Sequence, residues 1–140
     1  MKFQIYTDGG SRGNPGPSAF AFVIFDSTGK LVAVHKECVG VTTNNVAEYR
    51  AIVASLEEAK RRGAEEVESF MDSELACRQL QGKYKVNQPH LKVLVEKVRN
   101  LATAFKKITY NHVRRENENI QLADSLVNEA LDEAALRGRR

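Results

Sequence analysis

The chain has 140 residues, 42% of them hydrophobic and 28% charged, with a formal net charge of +3 at pH 7. These values fit one globular domain, residues 1–140, large enough to bury a core without staples. No apolar run approaches the roughly 18 residues of a membrane span, and Cys38 and Cys77 stand alone without a CxxC pair, which argues against a disulfide framework or a zinc site and for the cytoplasm.

The opening residues Met1–Asp8 alternate apolar and polar rather than forming the apolar core of a signal peptide. Phe3 and Ile5 mark a first strand, predicted to stop at Asp8-Gly9-Gly10. Ser11-Arg12-Gly13-Asn14-Pro15-Gly16-Pro17 reads as a loop. Ala19–Phe25 is short, apolar and aromatic, and reads as a second strand. After a turn at residues 26–30, Leu31–Val39 supplies a third, so three strands joined by turns imply an antiparallel meander. From Asn45 to Arg62 the period becomes helical through Ala47, Ile52, Val53, Leu56 and Ala59, with Gly63 as the terminating residue. Val67–Met71 is a short buried strand, and a helix follows from about Ser73 to Gln81. Gln88-Pro89 opens another helix carrying Leu91, Leu94, Val98, Leu101 and Phe105. Ile108–Val113 alternates as a strand, and the last helix carries Leu122, Leu126, Leu131 and Ala134. The order βββαβααβα predicts an α/β fold: a mixed five-stranded sheet, an antiparallel meander extended by parallel strands, flanked by helices.

The glycines of the first loop, Gly9, Gly10, Gly13 and Gly16, do not form a nucleotide-binding motif. No Gly-Lys-Ser/Thr follows, and the next element is a strand rather than a helix. Four acids stand at the edges of elements: Asp8, Glu48, Asp72 and Asp124. Each has an ordinary structural role open to it. Asp8-Gly9 suits a turn, Asn45-x-x-Glu48 has the form of a capping box, Asp72 can cap its helix, and Asp124 suits a helix N-terminus. Gathered at neighbouring strand ends, however, four carboxylates repel one another and need protons or cations. Hard oxygen donors suit Mg²⁺ or Mn²⁺, and two such ions about 4 Å apart can activate water against a phosphodiester. Charge is also segregated. Residues 83–115 hold Lys83, Lys85, Lys92, Lys97, Arg99, Lys106, Lys107, Arg114 and Arg115 against Glu96 alone, whereas residues 116–136 hold acids and no base. A basic stretch beside an acidic one fits a phosphate-binding protein with a carboxylate site, and equally a solvated surface.

The segments Asp8-Gly9-Gly10-Ser11-Arg12-Gly13-Asn14-Pro15-Gly16-Pro17, Thr42-Thr43-Asn44-Asn45-Val46-Ala47-Glu48-Tyr49, Asp72-Ser73 and Ala123-Asp124 with Leu126 resemble, in that order, the motifs of type I ribonuclease H. The resemblance spans essentially the whole chain. It implies the same fold and metal-dependent endonucleolytic cleavage of the RNA strand of an RNA/DNA hybrid, leaving 5′-phosphate and 3′-hydroxyl ends. It assigns Asp8, Glu48, Asp72 and Asp124 as the catalytic, metal-holding set for two Mg²⁺ ions, with Mn²⁺ able to substitute. It implies that Gly9, Gly10, Asn14, Thr43, Asn44, Asn45 and Ser73 contact the hybrid. Short amides and hydroxyls beside close-approach glycines can read 2′-hydroxyls and phosphates in a wide minor groove without reading bases.

Three features depart from what members of that family carry. Some carry a basic, tryptophan-bearing helix and loop after the second helix; here the link is only Gly82–Pro89 and the chain has no Trp. This resembles the compact form of the family, with Lys83, Tyr84 and Lys85 as candidate DNA-strand contacts. Some place a mobile histidine before the last acid; here Arg115 is the candidate for that helper role, and His35, His90 and His112 are read as structural. Asn119 precedes Asp124 by five residues rather than the usual four, which suggests a longer loop. No obligatory protein partner or membrane association is expected, and a monomer is. The rival readings are a nuclease of the same fold acting on duplex RNA, a non-catalytic hybrid-binding module, and a fragment of a polyprotein, the last disfavoured by the chain's self-contained ends. Arg137-Gly138-Arg139-Arg140 is a basic end able to add non-specific affinity.

Overall fold

The central strand of the molecule is its first. In the computed structural model, which describes residues 1–138, β1 (Lys2–Ser11) pairs antiparallel with β2 (Gly16–Asp26) on one side and parallel with β4 (Glu66–Met71) on the other. β3 (Leu31–Thr42) extends the meander beyond β2, and β5 (Lys107–His112) lies parallel to β4, giving the order β3-β2-β1-β4-β5. The helices are α1 (Asn44–Arg61), α2 (Glu74–Leu80), α3 (Pro89–Ala102) and α4 (Glu118–Gly138). The nine elements therefore follow the predicted order, in the predicted mixed sheet. Arg139 and Arg140 of the basic end lie outside the described residues.

The alternation of β1 and β2 sorts their side chains onto two faces. Phe3, Ile5, Phe20, Phe22 and Ile24 enter a core with Tyr49, Ile52 and Leu56 of α1 and Leu91, Val95 and Val98 of α3. Tyr6, Val23, Ala19 and Ala21 turn to the other face, against Ile120, Val127, Ala130 and Leu131 of α4.

Several local expectations are corrected. β1 does not stop at Asp8-Gly9-Gly10 but runs on to Ser11, with Gly9 opposite Phe20 and Gly10 opposite Ala19. A glycine pair reads as a turn in sequence, whereas here Gly9 is extended in the β1–β2 ladder and a helix lies against it. A Cβ on Gly9 would come within 2.4 Å of the Ala47 carbonyl carbon and 2.6 Å of the Glu48 nitrogen, so only glycine lets α1 pack this close. α1 is capped by Thr43, whose side chain accepts from Val46 N–H; Asn45 and Glu48 form no capping box, and Glu48 lies beyond the first turn. Likewise Ser73, not Asp72, caps α2 by accepting from Ala76 N–H at 3.1 Å. On α4 the buried stripe is Ile120, Ala123, Val127, Ala130 and Leu131, while Leu122 is 40% exposed. The expected apolar stripe was rotated because the small residues Ala123 and Ala130 carry much of the contact.

Candidate active site

The register of the sheet brings two acids level. The parallel pairing of β1 with β4 ends at Tyr6 opposite Phe70, and two residues further along each chain stand Asp8 and Asp72. Asp8 is followed on β1 by Gly9, over which α1 passes; the close approach that Gly9 permits delivers Glu48. From the opposite face α4 crosses β1, β2 and β3 and presents Asp124. All four acids line one cleft of about 420 Å³. None has the turn, cap or helix-end role that sequence alone left open.

The electrostatics of this cluster are unfavourable as it stands. Asp8 is 8% exposed, and burial, then the charges of Asp72 and Asp124 and finally Glu48, push its carboxyl up from 3.8 to about 8. Burial also pushes Glu48 up from 4.5 to about 7; Asp72 raises it further, while Ser73 and Arg115 act in the opposite sense. Both shifts arise first from burial, to which the neighbouring carboxylates add. The donor set is entirely hard oxygen, which fits Mg²⁺ or Mn²⁺ and not zinc. Among the described residues no three His, Cys, Asp or Glu side chains form a metal cage by themselves.

The other predicted contacts divide. Gly9, Gly10, Asn44, Asn45, Ser73 and Arg115 line the same cleft. Asn14 and Thr43 do not; both work behind it. Asn14 Oδ1 accepts from Asn44 N–H at 3.1 Å, and Thr43 caps α1. Asn44 Oδ1 accepts from both Ser11 N–H, at 2.8 Å, and Ser11 Oγ, at 3.1 Å, tying the first loop to α1. Arg115 reaches over the rim: its Nε lies 3.8 Å from Asp72 Oδ2, with the side chain 88% exposed. Lys83, Tyr84 and Lys85 are exposed and lie away from the cleft; Tyr84, which is 48% exposed, and Lys85 line a separate groove with Lys92, Glu96 and Arg99. His112 is an exposed strand end, and His35 tilts against Phe22 and pairs with Glu37. Cys38 and Cys77 are free thiols. Sequence reading passed over Arg12, Ser11 and Asn128, which also line the cleft. The available signal was the four-residue spacing of Asn128 from Asp124.

Comparison with known proteins places this geometry. Residues 6–130 match the family described as Reverse transcriptase-like. The chain is 43% identical over 136 residues to a bifunctional protein of Mycobacterium tuberculosis and 42% identical over 133 residues to ribonuclease HI of Halobacterium salinarum. These alignments take in 96% and 95% of the chain, but only 37% and 66% of the respective relatives. The solved RNase H domain of the mycobacterial protein superposes with a TM-score of 0.90 at 41% identity, covering 94% of this chain and all of that one. The halobacterial RNase H1 gives 0.91 at 40%, covering 95% and 99%. An RNase H1 termed LC11, solved in complex with an RNA/DNA hybrid, gives 0.88 at 43%, again covering 95% and 99%. With four acids in one cleft of a β3-β2-β1-β4-β5 sheet and these relatives along nearly its whole length, the chain belongs to the type I ribonuclease H family.

Proposed function

We propose that this chain is a ribonuclease that hydrolyses the RNA strand of RNA/DNA hybrids internally, with little sequence preference. Asp8, Glu48, Asp72 and Asp124 are its catalytic set. The observation that carries this reading is the meeting of the four carboxylates in one cleft that glycine backbone, amides, hydroxyls and the cations Arg12 and Arg115 also line. The same four residues would hold divalent ions, Mg²⁺ or in its place Mn²⁺, two with substrate bound. Such ions supply charge neutralisation at the scissile phosphate and a more acidic attacking water. The products carry 5′-phosphate and 3′-hydroxyl ends.

The chain's own groups bind and orient the strand. Asn44 spends its carbonyl oxygen on Ser11, which leaves its amide N–H groups as donors. With Asn45, Ser73 and the backbone at Gly9 and Gly10 it offers donors and acceptors to ribose hydroxyls and phosphates. Asn14 and Thr43 act behind this wall, holding Asn44 and the start of α1. Arg115, long and exposed, can exchange Asp72 for a phosphate. Tyr84 and Lys85, with Lys83 beside them, offer a second basic and aromatic groove for the DNA strand. The free thiols and the lack, among the described residues, of any helix long and apolar enough to cross a membrane accord with a cytoplasmic setting, and we expect a monomer acting alone as one domain.

The test is a gel assay on one end-labelled RNA presented single-stranded, paired with RNA and paired with DNA, each with Mg²⁺, Mn²⁺ or EDTA. Metal-dependent internal cuts confined to the hybrid are expected. Equal cutting of duplex RNA would overturn the substrate assignment, and retained binding without cutting under any metal would identify a binding module.

A further inference from the structure

Asp124 has less support from the fold than the other three acids. It stands on the exposed side of α4, where an aspartate side chain ordinarily samples several rotamers, yet the cleft needs it turned toward Asp8. The residues that constrain it lie on its own helix stripe. Positions 124, 128 and 132 recur at four-residue spacing and so stand one above the other on α4. Asn128 Nδ2 donates to the Asp124 carbonyl oxygen at 3.1 Å and to Asp124 Oδ2 at 3.4 Å. Arg12 Nη2 donates to the Asn128 carbonyl oxygen at 3.3 Å and to Asn128 Oδ1 at 3.5 Å. The same Nη2 pairs with Asp132 Oδ1 at 2.7 Å.

The chemistry of these groups allows one orientation of the Asn128 amide. A guanidinium only donates and a carboxylate only accepts, so Oδ1 must face Arg12 and Nδ2 must face Asp124. Turned over, the amide would set N–H against N–H and oxygen against oxygen. Arg12 is itself fixed at its root. Its N–H donates to Pro17 O at 2.8 Å, and a Cβ on Gly16 would fall within 2.1 Å of Arg12 O, so the loop closes back on Arg12. The contacts are solvent-accessible, with Arg12 44% and Asp132 67% exposed; such pairs contribute little to folding. Their value is directional.

We propose that Asp132, Arg12 and Asn128 form a positioning relay: Asp132 holds Arg12, Arg12 orients the Asn128 amide, and Asn128 turns the Asp124 carboxylate into the cleft. The relay rests on the reading of Asp124 as a metal-holding acid. None of the three relay residues needs to touch the reacting atoms, so they are positioning residues.

The test compares Asn128→Ala and Arg12→Met with the parent chain and with Lys36→Met. Lys36 ties the neighbouring face of α4 to β3 through Glu129 and Glu133 and has no part in the relay. Mg²⁺ is titrated calorimetrically into substrate-free protein, and Tm, kcat and KM for the hybrid are measured alongside. In both relay variants Mg²⁺ affinity and kcat should each fall about tenfold, with KM and Tm nearly unchanged. Arg12→Lys, which keeps the charge facing Asp132 but loses the guanidinium fork, should fall between them and the parent. Lys36→Met should match the parent in Mg²⁺ affinity. Unchanged Mg²⁺ affinity in Asn128→Ala overturns the relay, as does an equal loss in Lys36→Met. If the parent binds Mg²⁺ but cuts no hybrid, the functional reading fails while the calorimetric comparison still decides the relay. Where the parent takes up Mg²⁺ only with an uncleavable hybrid bound, the comparison is made on that complex; no uptake in either state overturns both.

Discussion

The two faces of the sheet are built from the same strands and do opposite work. Beneath α1 and α3 the strands contribute Phe3, Ile5, Phe20, Phe22 and Ile24, packed on Tyr49, Ile52 and Leu56. Beneath α4 they contribute Ala19 and Ala21 against Val127, Ala130 and Leu131, and Tyr6 and Val23 against Ile120, a smaller set, and the seam is finished by ion pairs from Lys36 and Arg12 to Glu129, Glu133 and Asp132. Fully burying a large apolar side chain is worth about 1.5–3 kcal/mol, whereas an exposed ion pair is worth about 0–1 kcal/mol. The first face therefore supplies most of the stability. The second is thin, which lets α4 come close and set a carboxylate beside Asp8. The difference teaches that the buried acids, Asp8 above all, are tolerated because the other face has stability to spare.

That division can be broken at several points. Asp72→Asn should lower hybrid cleavage by about a thousandfold or more, roughly 4 kcal/mol of transition-state stabilisation. It should leave hybrid binding and Tm intact; substantial cleavage at saturating Mg²⁺ would remove Asp72 from the catalytic set. Leu56→Ala, on the thick face, should cost about 2–5 kcal/mol in urea denaturation, and Leu131→Ala on the thin face distinctly less. Equal losses would erase the distinction between the faces.

Next in size is a pH effect. Because Asp8 is raised from 3.8 to about 8 and Glu48 from 4.5 to about 7, the folded chain holds protons that the unfolded chain has already released over that interval. The sign follows from linkage: stability of the metal-free protein should fall as pH rises from about 4 to 8. Mg²⁺ offsets the same repulsion, so it should raise Tm more at pH 8 than at pH 5. A metal-free Tm that climbs across this range would contradict the buried, mutually repelling acids. The smallest effect is expected for Lys36→Met, below about 1 kcal/mol and diminished by salt.

Much of this was legible in the sequence, and what was not has physical causes. Alternation marked β1 and β5 and helical spacing marked α1, α3 and α4, because burial on one face of a strand or helix leaves that trace; β2 showed as a continuous apolar run bounded by turns. The four acids were legible as a set only through their order and the segments around them; singly, each suited a turn or a cap. What the sequence hid were tertiary effects on local rules. Gly9 was read as the end of a strand, but its lack of a side chain serves α1 rather than a turn. Thr43 and Ser73 took the caps that Asn45 and Asp72 might equally have filled, since helix starts differing by one residue leave nearly the same signature. Leu122 looked like core and faces water, because the stripe of α4 turned to the sheet runs through Ile120, Ala123, Val127, Ala130 and Leu131. Arg12 escaped notice because its partners, Asn128 and Asp132, are more than a hundred residues away.

The central place of β1 has a consequence for how the molecule comes into being. Its pairing with β2 closes through a short hairpin, but its pairing with β4 joins residues 64 apart in the chain, as Gln4 and Glu68 are. Contacts at such separation carry a loop-closure cost before any reward, and they form late. Asp8 and Asp72 are therefore strangers through the early stages of folding. On a ribosome, a nascent chain that has emerged only as far as β3 contains the residues of the hairpin and Asp8 alone of the four acids, and so has no site to assemble.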